Sequence, residues 1–436
     1  MRRKSLLGWK LYDFANSAYV LTTATALLPA WFAEAVVPAG GYPAWGTTVS
    51  ASTLWGLAVS AAAVVVFALA PILGAVADLR RLKKAFWMAL CGAGCVFGAL
   101  LGLPGPGEVW LCLGLYIPAQ ICFAGANVFY DAFLPELAPR RELDVVSGQG
   151  FAWGYVGGGL HFALCLGLVA LHQTFGLDKG EAVRLSMVSA AVWWAAFSLP
   201  AFLWIHEKKA ASLPADGAVL AGRAVRQGLA NARRTLRLLL RGAPASRFLL
   251  AYLLYNDGVQ TVIAMAAIYG KEELGLSATV LMATLLAVQG VAVVGAQLFG
   301  RLAKRAGTKR ALSASLVLWC AVTSWAAFID SAVEYVALGC AVGLVLGATQ
   351  ALSRSLYASL VPEAESAQYF GYFSVVTKLS AILGPLVFAG ASHAFGSARP
   401  AAPVMAVFFG AGLAILAGVR PAQEGPNKNP KKATGN

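Results

Sequence analysis

The chain is built from twelve long apolar runs, and these decide what it can fold into. They lie at about 9–37, 50–77, 84–103, 109–134, 146–170, 184–205, 247–269, 278–302, 311–329, 332–357, 369–395 and 401–419. An apolar run of about 17–25 residues is long enough to cross a bilayer as a helix. Lipid offers no partners for backbone N–H and C=O groups, so a spanning segment must be a helix or a strand of a closed barrel. These runs are continuous and do not alternate as barrel strands do. The expected fold is therefore an all-α integral membrane protein with twelve transmembrane helices. Charged residues make up only 12% of the chain, about half the share in a soluble domain.

The net charge of +14 does not point to nucleic acid, because the basic residues are not gathered on one face. They fall between the apolar runs, and mostly on one side of the alternating topology. That side collects Arg2 to Lys10, Arg80 to Lys84, Arg140, Arg141, the stretch from Lys208 to Arg247, Arg301 to Arg310, Arg354, Lys428, Lys431 and Lys432. The other side has Lys179, Arg184, Lys271 and Arg399. The positive-inside rule then puts both termini and the 206–246 loop in the cytoplasm, as in a multi-pass protein of the inner (plasma) membrane. The start MRRKSLLGWK is charged like a signal peptide, but the run that follows is too long for a signal core and carries Asp13 and Asn16. It is read as the first membrane helix.

The two halves repeat. Gly74-Ala-Val-Ala-Asp78 with its following basic residues joins spans two and three, and Gly300-Arg-Leu-Ala-Lys304 does the same for spans eight and nine. Leu134-Pro135-Glu136 is echoed by Val361-Pro362-Glu363, and Tyr12-Asp13 by Tyr255-Asn256-Asp257. This gives an N-terminal six-helix bundle over 1–206, a basic linker over 207–246, a second bundle over 247–422 and a polar tail over 423–436. Duplication around a linker fits a transporter whose halves rock about a midplane site. The linker arginines Arg223, Arg226, Arg233, Arg234, Arg237 and Arg241 sit among Ala and Leu. They read either as an amphipathic helix on anionic lipid or, more commonly for such runs, as a plain solvated linker.

Ionisable side chains inside the membrane cost about 2.5–3.5 kcal/mol or more and imply partners or a water-filled cavity. Spans three, six, nine and twelve carry none in their apolar cores, whereas spans one, four, seven, ten and eleven carry the polar load. Asn127, Tyr130 and Asp131 share one helix face, as do Asn256 with Gln260 and Gln350 with Arg354. Candidate solute-binding residues are Tyr12, Asn16, Asn127, Tyr130, Asn256, Asp257, Gln260, Gln350 and Lys378. Asp257 and Lys378 each lie about 15 Å from the inner ends of their spans, so a midplane meeting is expected. Asp13, Asp131 and Arg354 lie nearer the cytoplasmic ends, where they either gate an inner vestibule or form a structural ion-pair network. Asp13 and Asp257 are the proton-carrying candidates, since a desolvated carboxylate holds a proton more readily. His161 reads as a helix-to-helix hydrogen bond or a proton relay. Gly150, Gly154 and Gly158 mark a close-packing face.

No Walker A sequence, HExxH or GxSxG occurs, the four histidines are scattered, and the seven cysteines all lie inside apolar spans without a CxxC pair. An enzyme, a metal site and a cofactor are therefore not expected. The partners implied are a small solute and membrane lipids, with no obligate protein partner and a monomeric state.

The loop repeat resembles the signature loop of the major facilitator superfamily, with complementary departures. The first copy keeps Asp78 but has Arg81 where a glycine is usual; the second keeps Gly307 but has Lys304 in place of the aspartate. Four ordered motifs resemble the vacuolar amino-acid effluxer family related to autophagy: Leu11–Tyr19, Asn127–Leu137, Tyr255–Thr261 and Gln350–Ser355. Phe370-Gly371-Tyr372-Phe373 and Lys378 also match, though Ser374 replaces an asparagine and Thr377 a glycine. The resemblance implies the major facilitator fold of two pseudo-symmetric six-helix bundles, spans one, four, seven and ten around a cavity, and a gating role for Asp78; Asp131 and Arg354 are gating candidates by their depth alone. It further implies a proton-linked or facilitative transporter whose eukaryotic relatives export amino acids from the vacuole; with Asp257 and Lys378 together suggesting a zwitterionic or anionic solute, the expected function is export of amino acids or related zwitterionic or anionic metabolites. Drug or lipid export is the alternative, and a membrane scaffold or receptor-like role the non-transport one.

Overall fold

In the computed structural model, the described residues are 2–44, 46–207, 226, 229–237, 241, 243–395, 397 and 399–419. Eleven helices among them are long and apolar enough to cross a membrane, and a twelfth is shorter. They are α1 (Arg2–Val36), α2 (Ala51–Arg80), α3 (Lys83–Leu100), α4 (Val109–Leu137), α5 (Arg140–Ala170) and α6 (Lys179–Trp204) in the first bundle. The second bundle has α7 (Pro244–Glu272), α8 (Ala278–Ala306), α9 (Thr308–Phe328), α10 (Ala332–Leu360), α11 (Glu363–Phe395) and α12 (Ala402–Ala417). A hairpin of β1 (Tyr42–Ala44) and β2 (Thr47–Val49) joins α1 to α2.

Helix polarity follows from the end residues. Ser50, Asp178, Ser277 and Ser331 cap the starts of α2, α6, α8 and α10, the last and α6 with full capping boxes. These starts all lie at the end opposite the basic residues. Arg80 closes α2, and Lys304 and Arg305 close α8 at the basic end, where a cation complements the helix dipole. Arg81 turns the chain out of α2 with φ 54°. That left-handed turn is where the resemblance placed a glycine, and an arginine there costs about 1–2 kcal/mol.

Small residues bring helices within backbone contact. Gly154 faces Ser17 of α1, and a Cβ on Gly347 would stand 2.2 Å from the Ala292 carbonyl of α8. His161 bridges Thr22 of α1 and Ser189 of α6 at 2.9 and 3.1 Å, so its place is in the helix packing of the first bundle.

The two bundles meet along two seams at the basic end. At one, a Cβ on Gly74 of α2 would lie 2.4 Å from the Ala367 carbonyl, and one on Gly371 would lie 2.7 Å from the Ala70 carbonyl. At the other, a Cβ on Gly148 of α5 would lie 2.6 Å from the Ala296 carbonyl of α8. α11 is broken at Ser380–Ile382 into Ser366–Leu379 and Leu383–Phe395. Its first half packs on α2 and α4 of the other bundle, whereas its second half packs within its own bundle on α7 and α12. The bundles thus meet at backbone contact at the basic end. A Gly74→Leu substitution places a side chain in backbone space, so it should raise the open-to-closed ratio at the basic end about tenfold. A spin-label pair at Arg141→Cys and Lys304→Cys, both exposed and on opposite bundles, reads that ratio by pulsed electron paramagnetic resonance. An unchanged distance distribution would show that the seam does not hold the gate.

Candidate functional site

Between the bundles lies a cavity of about 470 Å³. Its walls come from α1, α4, α5, α7, α8, α10 and α11. α3, α6, α9 and α12 contribute nothing, as expected of the helices without intramembrane charge. Of the anticipated residues, the cavity collects Asp13, Asn16, Asn127, Tyr130, Asp131, Asn256, Gln260, Gln350, Arg354 and Lys378. The remaining walls are largely apolar, among them Val20, Leu21, Phe123, Ile263, Leu346 and Phe373.

The floor is an ion cluster that crosses the bundles. Arg354 of α10 donates to Asp13 of α1 at 3.2 Å and to Asp131 of α4 at 3.0 Å. It also donates to the Ser147 hydroxyl and carbonyl of α5, each at 3.1 Å. Tyr130 donates its hydroxyl to the same Asp13 oxygen at 2.6 Å. The guanidinium lies against the rings of Phe151 at 4.0 Å and Trp9 at 4.7 Å, a cation–π setting that favours arginine over lysine. Gly150 makes the approach possible, since a Cβ there would stand 2.8 Å from the guanidinium and 2.9 Å from Asp13. Two carboxylates share one cation, so the fully ionised floor carries one excess negative charge.

Lys378 of α11 stands alone. It lines the cavity, half-buried, and makes no ion pair or hydrogen bond among the described residues. The amides around it are partly committed: Asn16 donates to Asn127 at 2.8 Å, and Gln350 accepts from Tyr155 of the other bundle at 2.5 Å.

Two sequence expectations fail. Asp257 forms no ion pair with Lys378 and is absent from the cavity wall. Its carboxylate accepts the Gly384 N–H at 2.8 Å, capping the second half of α11 beyond the break, while Asn256 donates to Ser380 at the break itself. The physical reason is that the break exposes backbone N–H groups inside the membrane, and α7 supplies the acceptor. Pro385, which lacks an N–H, sits in that first turn without cost. Tyr12 is likewise off the cavity, fully buried among Trp87, Tyr130 and Phe202.

At the basic end a second cluster joins the bundles. Asp78 accepts the N–H groups of Ala367 at 3.2 Å and Gln368 at 2.9 Å, capping α11 from the other bundle. Fully buried Lys83 joins it to Glu136 at 2.6 Å and donates to Ser366 at 2.8 Å. Glu207 in turn accepts the N–H groups of Lys83 and Lys84 at the start of α3, and burial pushes its carboxyl above the ordinary carboxylate range. On the other seam Asp144 accepts from Ser355 and from Thr308, the latter at 2.8 Å. Sequence reasoning passed over Lys83, Asp144 and Ser147. Lys83 was hidden in a basic run read as a topology signal. Asp144, just before the glycine-rich face of α5, was the one available hint.

Two clusters that lock the bundles at one end, below a cavity lined by both, define a major facilitator transporter. The model of the vacuole effluxer Atg22-like family matches residues 1–427. The chain belongs to that family. It is 33% identical over 413 residues to the uncharacterized MFS-type transporter YxiO of Bacillus subtilis, covering 94% of this chain and 93% of that one. It is 25% identical to autophagy-related protein 22-1 of Aspergillus fumigatus over 293 residues, 61% of this chain and 47% of the relative. The chain thus spans about half the length of such fungal relatives. Among solved structures, the human organic anion transporter MFSD10 superposes with a TM-score of 0.70 at 15% identity, covering 95% of this chain and 99% of its own. The proton:xylose symporter XylE gives 0.69 at 14%, covering 96% and 95%. At these identities the structural likeness speaks for the fold.

Removing the shared cation should hurt more than removing one anion. Arg354→Gln leaves two buried carboxylates facing each other, a loss of about 3–5 kcal/mol, whereas Asp131→Asn removes the excess charge. The melting temperature of Asp131→Asn in detergent should therefore exceed that of Arg354→Gln by several degrees; the reverse order would refute the shared-cation reading. Asp257→Ala should lose a helix cap, about 0.5–2 kcal/mol, and Asp257→Asn most of it back, checked by the same melting curves.

Proposed function

We propose that this chain is a secondary active transporter working by alternating access, and that it exports amino acids or related zwitterionic or anionic metabolites with proton coupling. The observation that carries the reading is the charge layout of the cavity. One wall holds an uncommitted ammonium, Lys378, and the floor holds two carboxylates around one guanidinium. A solute carboxylate is matched to Lys378, and the floor's excess negative charge is matched to an ammonium group or a proton. Gln260, Gln350, Asn127 and Asn16 supply neutral polar contacts beside these poles.

Coupling falls to Asp13 and Asp131 on this reading. A proton on either carboxylate weakens its hold on Arg354 and with it the tie between the bundles, which is how protonation and gate opening would be linked. Asp257, tied to the α11 break, serves architecture and has no place in the proton path. Asp78, Asp131 and Arg354 are the gate: Asp78 holds the start of α11, and Arg354 holds α1 and α4. The basic end, with the linker and both termini, faces the cytoplasm of a plasma membrane under the positive-inside rule, so on this reading the described conformation is closed to the cytoplasm. The relative named as an MFS-type transporter supports a carrier; the monomeric state and the small solute are part of the proposal.

A thermal-shift screen of amino acids, peptides and organic acids on the purified protein, followed by proteoliposome transport of each hit, tests this. A ligand at a hundred times its Kd should stabilise the protein by about 2.7 kcal/mol. Lys378→Ala should abolish that shift, with Lys378→Arg retaining part of it. Asp131→Asn should still bind but lose accumulation driven by an imposed pH gradient. A shift untouched by Lys378→Ala would remove Lys378 from the site.

A further inference from the structure

The basic linker is more than a tether. Its helix over 229–237 seats on the first half of α11. Gln368 donates its side-chain amide to the Asn231 carbonyl at 2.9 Å, and Tyr372 donates its hydroxyl to the Ala232 carbonyl at 2.6 Å. Ala232 and Thr235 are buried in that seat, only 6% and 2% exposed. Arg233, Arg234 and Arg237 face outward, with Arg226 and Arg241 exposed beside them. None of the five makes an ion pair among the described residues. Arg223 lies outside the described residues.

The depth of the seat says what these arginines meet. Gln368 and Tyr372 are the third and seventh residues of Ser366–Leu379, so the seat lies about 3–9 Å along that half-helix from the basic end. With the basic end at the cytoplasmic face, as proposed, that depth matches the headgroup region flanking the hydrocarbon core. The seat is also tied to the gate. Gln368 gives its backbone N–H to Asp78 and its side chain to the linker. One residue therefore receives the clamp of the first bundle and the clamp of the linker.

We propose that the 229–237 helix is a latch operated by anionic phospholipid: headgroup phosphates held by Arg233, Arg234 and Arg237 keep the helix on α11 and favour the state closed at the basic end. Each arginine near an anionic surface raises binding roughly fivefold, and phosphate is the ligand that the guanidinium fork fits best.

The spin-label pair at Arg141→Cys and Lys304→Cys, on a background without native cysteines, tests this in nanodiscs. In phosphatidylcholine with phosphatidylglycerol the closed-to-open ratio should be roughly fivefold or more above that in phosphatidylcholine alone. The triple variant Arg233→Gln, Arg234→Gln, Arg237→Gln should show the phosphatidylcholine ratio in both, and the triple Arg→Lys variant should keep most of the response. Gln368→Ala with Tyr372→Phe should retain bound phosphatidylglycerol in native mass spectrometry yet lose the response of the gate. The proposal is overturned by equal ratios in the two lipids, by an undiminished response in the triple glutamine variant, or by loss of lipid binding in the seat variant. Inorganic phosphate added to phosphatidylcholine nanodiscs should do nothing; if it reproduces the effect, the arginines hold free phosphate and the lipid latch is wrong.

Discussion

One guanidinium shared by two carboxylates organises this protein. Arg354 belongs to the second bundle, and everything it holds belongs to the first: Asp13, Asp131, Ser147 and the rings of Trp9 and Phe151. In a low-dielectric interior a charge of this kind must be paired and hydrogen-bonded. The helices that bring those partners have to converge at one depth, and the convergence makes the floor of the cavity. Gly150 is small because the pair requires it, and α1, α4, α5 and α10 meet where they do for the same reason.

The Asp78 cluster and the cavity share one helix segment. The first half of α11 begins at Ser366–Gln368, where Asp78 and Lys83 hold it, and ends at Lys378, which faces the cavity. Beyond Leu379 the helix breaks, and Asp257 secures the second half to α7 inside its own bundle. The break separates a segment clamped by the other bundle from one that stays at home. On the proposed reading, a solute held by Lys378 and a gate at Asp78 act on the same short helix, which is a physical route for coupling between them.

Much of the architecture was legible because the bilayer imposes it. The apolar runs and the basic residues at one end follow from local rules that a sequence displays openly. So does the sorting of α3, α6, α9 and α12 away from the cavity, since a helix without polar groups has nothing to offer one. The i, i+4 stripes of Asn127 with Asp131 and Gln350 with Arg354 were legible for the same reason, and both reach the cavity. The partners of Lys83 and Asp257 were not legible because depth and composition were the only guides. A lysine in a basic loop and an aspartate in a helix middle carry no mark of which neighbour they will find.

By itself, then, the sequence determined the number of helices, the duplication, the polar helices and the family. Tertiary structure alone decided the pairings: Arg354 with both Asp13 and Asp131, Lys83 with Asp78 and Glu136, Asp257 with the broken α11, and Lys378 with no partner among the described residues. The division has a physical cause. Membrane insertion is set by hydrophobicity summed along each segment, a property of the one-dimensional chain. The pairing of a charge depends on helix rotation and on backbone approaches as close as those at Gly74 and Gly148, and these arise only when two bundles separated in sequence are packed against each other.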